Sequence, residues 1–199
     1  MRVVCRVVGL CVVPFVLGAQ AAAKTSPPPV AQQVAAAVLA LPKEFRADAR
    51  VLGYQGTSRE LATIRPGKGP FTCLASDPAG SDFHVACYHE AMEPFMARGR
   101  ALRASGVKGD QVDSMRFAEV RAGKIVMPKQ PAAMYQLFGP AGAFDAAKGT
   151  AAKAKPLYVV YIAGATTAST GLSAKPAEGT PWIMYPGTPK AHIMLEPKM

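Results

Sequence analysis

Val85-Ala86-Cys87-Tyr88-His89-Glu90-Ala91-Met92-Glu93-Pro94-Phe95-Met96-Ala97-Arg98-Gly99-Arg100-Ala101-Leu102 is the stretch on which the reading of the fold turns. Val85, Tyr88, Met92, Phe95, Met96, Gly99 and Leu102 fall on one stripe about 120° wide at 3.6 residues per turn. That periodicity predicts one long amphipathic helix. Pro94 lies inside it, where it either kinks the helix by removing a hydrogen bond or marks the first turn of a helix starting near Glu93. The unbroken phase of the stripe favours the kink. Gly106 and Gly109 then end the helix.

Outward from this stretch the pattern changes to short strands. On the N-terminal side, Val30, Val34, Ala37, Val38 and Leu41 repeat at helical spacing and Pro42 closes a short N-terminal helix. Residues 49–54, 60–65 and 71–75 read as strands. Gln55-Gly56-Thr57-Ser58 and Pro66-Gly67-Lys68-Gly69-Pro70 turn between them, which predicts a β-meander. On the C-terminal side, residues 116–121, Ala122-Gly123 and residues 124–127 read as a hairpin, and residues 134–138 as a further strand. Residues 139–156 read as an exposed Ala/Gly/Lys-rich connection, 157–162 as the most β-prone run, and 166–180 as a loop. A closing hairpin joins residues 182–185 to 191–195 through Pro186-Gly187-Thr188-Pro189, suited to a type II turn. These elements predict an α+β fold: a mostly antiparallel sheet, one long amphipathic helix and a short N-terminal helix. A β-barrel is the alternative, and the lack of strand–helix alternation argues against a parallel α/β fold.

The chain opens with the features of an export signal. Arg2 and Arg6 precede an apolar run over residues 7–18, broken by Pro14, and Ala19-Gln20-Ala21 supplies a small-x-small cleavage pattern. The run is about a dozen residues, against roughly 20 for a membrane-spanning helix. The expected organisation is a signal peptide over 1–23, with cleavage after Ala21 or Ala23, a flexible leader over 24–29, and a single α+β domain over 30–199. Cys11 follows Leu10 and precedes Val12-Val13, so the pattern is not a lipoprotein's, and no transmembrane anchor is expected after cleavage. The expected location is periplasmic or secreted. Cleavage removes Cys5 and Cys11 and leaves Cys73 and Cys87 in a compartment where disulfides persist. A Cys73–Cys87 bond is the expectation, worth roughly 3 kcal/mol in the chain-entropy model. Two buried thiols or two metal thiolates are the rivals.

The formal charge of +10 falls by the two charges of Arg2 and Arg6 on cleavage. A basic balance admits an anionic envelope component as partner. A nucleic-acid surface is not expected, because the lysines are scattered and only Lys148, Lys153 and Lys155 crowd together, without aromatics.

Three histidines carry the candidate chemistry: His84, His89 and His192. On the expected helix, His89, Glu93 and Arg100 border the apolar stripe, and a histidine beside a carboxylate at i, i+4 can bind metal or orient a proton. His84, His89, Glu93 and His192 are thus the candidate metal ligands, for zinc, of a hydrolase-like enzyme, with Glu90 or Glu93 as proton carrier and Arg100 for an anion. His89-Glu90-Ala91-Met92-Glu93 lacks the second histidine of a His-Glu-x-x-His zinc site, however. The plainer account is a His–Glu pair on a helix flank and two unrelated histidines, with no cofactor. Ser173 lacks the second glycine of a nucleophile elbow, and Ser105 with Lys108 matches only a short Ser-x-x-Lys. With no complete catalytic motif, the leading expectation is an exported binding or structural module at the cell envelope.

Overall fold

The computed structural model describes residues 26–197; the signal reading of residues 1–23 and the first two residues of the leader lie outside them. The strands are β1 (Arg50–Gly53), β2 (Ala62–Arg65), β3 (Phe71–Leu74), β4 (Asp82–His89), β5 (Ala132–Pro140), β6 (Lys155–Tyr161), β7 (Trp182–Met184) and β8 (His192–Leu195). They form one eight-stranded sheet in the order β2-β1-β3-β4-β5-β6-β8-β7. Every pairing is antiparallel except that of β1 with β3, where Arg50 stands opposite Thr72 and Val51 opposite Cys73. The expected meander is therefore corrected. Strand β2 folds outside β1, and β3 returns on β1's inner side.

Helices α1 (Val30–Ala37), α2 (Glu93–Ala104), α3 (Asp110–Arg121) and the short α4 (Thr167–Thr170) complete the fold. Mixed helices with a mostly antiparallel sheet make the architecture α+β. The two faces of the sheet carry separate cores. On one, Ala36 and Ala37 of α1, with Leu41 behind them, cover Val51, Phe71, Cys73, Val85 and Cys87. On the other, Met92 and Phe95 pack with Phe117 and Val120 of α3 against Tyr88, Val159, Tyr161 and Trp182.

This double coverage explains the main correction. Residues 85–102 are not one long helix: the first part is strand β4, a 3-10 turn over Glu90–Met92 follows, and α2 is 12 residues long. A strand buried on both faces is apolar at consecutive positions, here Val85, Ala86, Cys87 and Tyr88. Such a run satisfies a 3.6-residue stripe as readily as a 2-residue one. Pro94 lies in the first turn of α2, where its missing N–H costs no hydrogen bond.

The predicted hairpin over 116–127 is also corrected. Residues 116–121 are the second half of α3, whose start has Asp110 and Asp113 in its first turn. Its end is sealed by Gly123 at φ 69°, with the Gly123 N–H donating to Val120 O and the Lys124 N–H to Glu119 O. Residues 139–156 are not a plain exposed connection: Ala143 and Ala154 are buried, and Phe144 stacks on Phe83 with centroids 6.5 Å apart. The loop over 166–180 contains α4, capped reciprocally by Thr166 and Ser169. The closing hairpin pairs Trp182 with Met194 and Met184 with His192.

Cys73 and Cys87 form a disulfide. It joins directly opposed residues of β3 and β4. No described helix is long and apolar enough to cross a membrane.

Candidate functional site

Strand β4 ends at His89, and the chain turns through Glu90–Met92 into α2, which lays Glu93 and, two turns on, Arg100 over the same face of the sheet as Tyr88. Parallel pairing of β1 with β3 sets Arg50 beside Thr72, and antiparallel pairing sets Thr72 beside Tyr88. Strand register and the turn into α2 thus bring together five polar side chains from β1, β3, β4 and α2. The Tyr88 hydroxyl donates to Glu93 Oε2. Arg100 donates from Nη1 to the Tyr88 oxygen at 2.6 Å and from Nη2 to Glu93 Oε1 at 2.7 Å. Arg50 Nη2 reaches the same Oε1 at 2.9 Å, and its Nε donates to Thr72 Oγ1 at 3.2 Å.

Burial by itself would raise the Glu93 carboxyl. The Tyr88 hydrogen bond, Arg100 and Arg50 overcome that and hold it below the ordinary carboxylate value. The fully buried Tyr88 phenol is pushed well above its ordinary value, by burial first and then by its bond to Glu93. Glu93 therefore stays ionised, with both oxygens engaged. Two guanidiniums face one carboxylate, so the network carries one positive charge in excess.

That excess borders a cleft of about 410 Å³ at the end of the sheet, lined by Arg50, Thr72, His89, Glu90 and Glu93 and by Gly67 and Gly69 opposite. The glycines let the 66–70 turn press on β1: a Cβ on Gly67 would stand 2.3 Å from the Arg50 backbone nitrogen. Gly69 N–H donates to Asp48 O at 2.8 Å and Glu90 N–H to Pro70 O at 2.7 Å, fixing both walls. His89 Nδ1 accepts from Ala91 N–H at 3.2 Å, so a neutral ring carries its proton on Nε2 as a donor. The cleft holds Arg50, Thr72 and His89 as donors, with the exposed Glu90 on its rim.

The four sequence candidates do not come together. Glu93 and His89 line this cleft. His84 lies about 17 Å along β4 from His89 at roughly 3.3 Å per residue, bonded to Gln136 Oε1 at 2.9 Å and stacked on Phe138 at 4.1 Å. His192 lies three strand positions from β4, about 14 Å at the usual spacing. It is buried between Tyr161 and Tyr185. Among the described residues, no three His, Cys, Asp or Glu side chains converge as a metal site. Arg100 is committed to Tyr88 and Glu93 instead of standing free for an anion.

Sequence reasoning missed Arg50, Thr72 and Tyr88. The one available signal was an arginine opening the otherwise apolar run Arg50-Val51-Leu52-Gly53. Compared with protein-family models, curated proteins and solved structures, the chain matches none.

Proposed function

We propose that the protein is exported by a cleaved signal peptide and acts at the cell envelope as a binding module for an anionic component. Its ligand's carboxylate or phosphate group sits in the cleft beside Arg50. The observation that carries this reading is the setting of Arg50: Arg100 already neutralises Glu93, and Arg50, 35% exposed, is among the described residues the one cation lining the cleft, with the exposed Glu90 on its rim. Thr72 and His89 add neutral donors on the same wall. The disulfide supports an oxidising compartment. Against the hydrolase alternative stands the engagement of both Glu93 oxygens by Tyr88, Arg100 and Arg50, which holds the carboxylate as an ionised anchor for the two guanidiniums.

Titration of the protein with inorganic phosphate and with acetate, followed by the ring resonances of His89 and the Nε resonance of Arg50, tests this directly. Saturable shifts at both residues are expected, weakened at least tenfold in Arg50→Gln and unchanged in His84→Asn. Equal binding by wild type and Arg50→Gln overturns the assignment. The same titration with an acidic polysaccharide and with phosphate-bearing lipid vesicles separates the sources of the anion.

A further inference from the structure

His192 is more informative by its neighbours than by any partnership with the other histidines. Pairing of β7 with β8 sets Met184 directly beside it, and Met194 follows two residues along the same face, next to Trp182. Directly opposed residues of an antiparallel pair have Cβ atoms about 5 Å apart, and residues two apart on a strand are about 7 Å apart. One imidazole and two thioethers therefore share a patch one metal ion wide. Six of the chain's nine methionines lie in or against this one core: Met92, Met96, Met127, Met134, Met184 and Met194.

The histidine is arranged as a ligand would be. It is buried, and its Nδ1 lies 2.6 Å from the Lys190 carbonyl oxygen, which as an acceptor requires the proton on Nδ1 and leaves the Nε2 lone pair free. A backbone carbonyl holding the far nitrogen is the usual outer support of a metal-bound imidazole. Tyr161 flanks the ring on β6 with centroids 5.0 Å apart, and Tyr185 covers it from the turn at 5.8 Å. Tyr185 achieves this at φ 51°, the sole positive φ outside glycine among the described residues. Such a conformation costs a tyrosine about 1–2 kcal/mol and persists where the surroundings demand it. Met184 and Met194 are partly exposed while Trp182, Val159 and Tyr161 around them are buried, so the thioethers border the route by which an ion would enter.

The charges nearby choose the ion. Lys190 Nζ bonds Asp113 at 2.8 Å, and Arg116, buried on α3, shares that same carboxylate. Two cations against one carboxylate leave a net positive charge that disfavours a divalent ion. Neutral thioether and imidazole ligands suit a soft, monovalent ion. We infer that Met184, His192 and Met194 form a cuprous-ion site at the β7–β8 hairpin, separate from the cleft at Arg50.

The test is competition between the exported, tag-free protein, which has lost Cys5 and Cys11 with its signal, and a chromogenic Cu(I) chelator under ascorbate, with Trp182, the chain's single tryptophan, as fluorescence reporter. Silver(I) serves as the redox-inert control. Expected are a quench of Trp182 on adding either ion and a loss of Cu(I) affinity of at least tenfold in Met184→Leu and in Met194→Leu. Each of these keeps side-chain volume while removing sulfur, and thermal melts report whether the fold is kept. His192→Gln lowers affinity further. Unchanged affinity in the folded Met184→Leu, Met194→Leu double variant, or zinc(II) competing on equal terms with Cu(I), overturns the site.

Discussion

Replacing Glu93 by glutamine tests the network behind the cleft. The carboxylate receives the Tyr88 hydroxyl, Arg100 and Arg50. Glutamine keeps the shape and one carbonyl acceptor but removes the charge. Arg50, 35% exposed, makes nearly a surface pair, which contributes about 0–1 kcal/mol. Arg100 is 22% exposed and Tyr88 fully buried, so their charge-assisted bonds are worth roughly 1.5–3 kcal/mol each before the part glutamine retains is subtracted. The net expectation is a loss of about 2–3 kcal/mol, or about 5–10 °C in Tm for a chain of this size. Chemical denaturation at neutral pH measures it. The effect depends on pH in a defined direction. Glu93's folded value lies below its unfolded one, so its contribution is complete above the unfolded carboxylate pKa and fades as pH falls through the folded value. Wild type and Glu93→Gln should therefore converge in stability as the medium is acidified below about pH 4. Tyr88→Phe alone should cost about 1 kcal/mol, and the double variant should cost less than the two combined, because both remove the same bond. A Glu93→Gln protein within about 0.5 kcal/mol of wild type at neutral pH, with parallel pH curves, refutes the reasoning.

Removing the cross-strand disulfide with Cys73→Ala, Cys87→Ala should cost about 3 kcal/mol in equilibrium unfolding, and a thiol assay on denatured, unreduced wild type should find neither cysteine free. Gly67→Ala should destabilise by about 1–3 kcal/mol, since its Cβ would meet only backbone, 2.3 Å from Arg50 N and 2.4 Å from Asp48 O. Because Arg50 moves with that backbone, the same variant should also weaken phosphate binding in the titration above.

What the sequence revealed and what it hid divide along one physical line. Residues 71–75 and 157–162 were legible as strands because β-branched and aromatic side chains lie between clear turn signals. The closing hairpin was legible because Pro186-Gly187 fits one turn type, and Gly187 does adopt φ 77° while Thr188 N–H returns to Tyr185 O. Strand β4 was hidden because burial on both faces erases the alternation that marks a strand. Helix α3 was hidden for the converse reason. Its buried stripe includes Arg116, whose guanidinium lies 3.8 Å over the Phe95 ring and donates to Phe95 O. A cation where the 3.6-residue period wants a hydrocarbon breaks the pattern. The same blindness applies to the site. His89 and Glu93 were paired on one expected helix, whereas His89 ends β4 and Glu93 begins α2, and Arg50 reaches them only through parallel pairing of β1 with β3, which no local pattern encodes.

The chain's basic balance takes on meaning at this point. Searched along the sequence, its cations are scattered and its densest group, Lys148, Lys153 and Lys155, lies largely in solvent. Searched in space, cations converge twice on a single shared carboxylate. Arg50 and Arg100 divide Glu93, and Arg116 and Lys190 divide Asp113. In both places burial alone would raise the carboxyl, yet the two partners hold it below its ordinary value. Each arrangement is a partly desolvated unit with one positive charge left over, where attraction is screened less than on an open surface. The difference between them lies in what else is present. Around Arg50 the remaining groups are hydroxyl and imidazole donors, with the exposed Glu90 only at the rim of an open cleft, which suits an anion seated against Arg50. Around Asp113 they are aromatic rings, a histidine lone pair and thioethers, which offer an anion nothing and a soft cation three ligands. One charge motif used twice thus leads to two opposite ligand preferences, decided by the neutral side chains that β-pairing sets beside it.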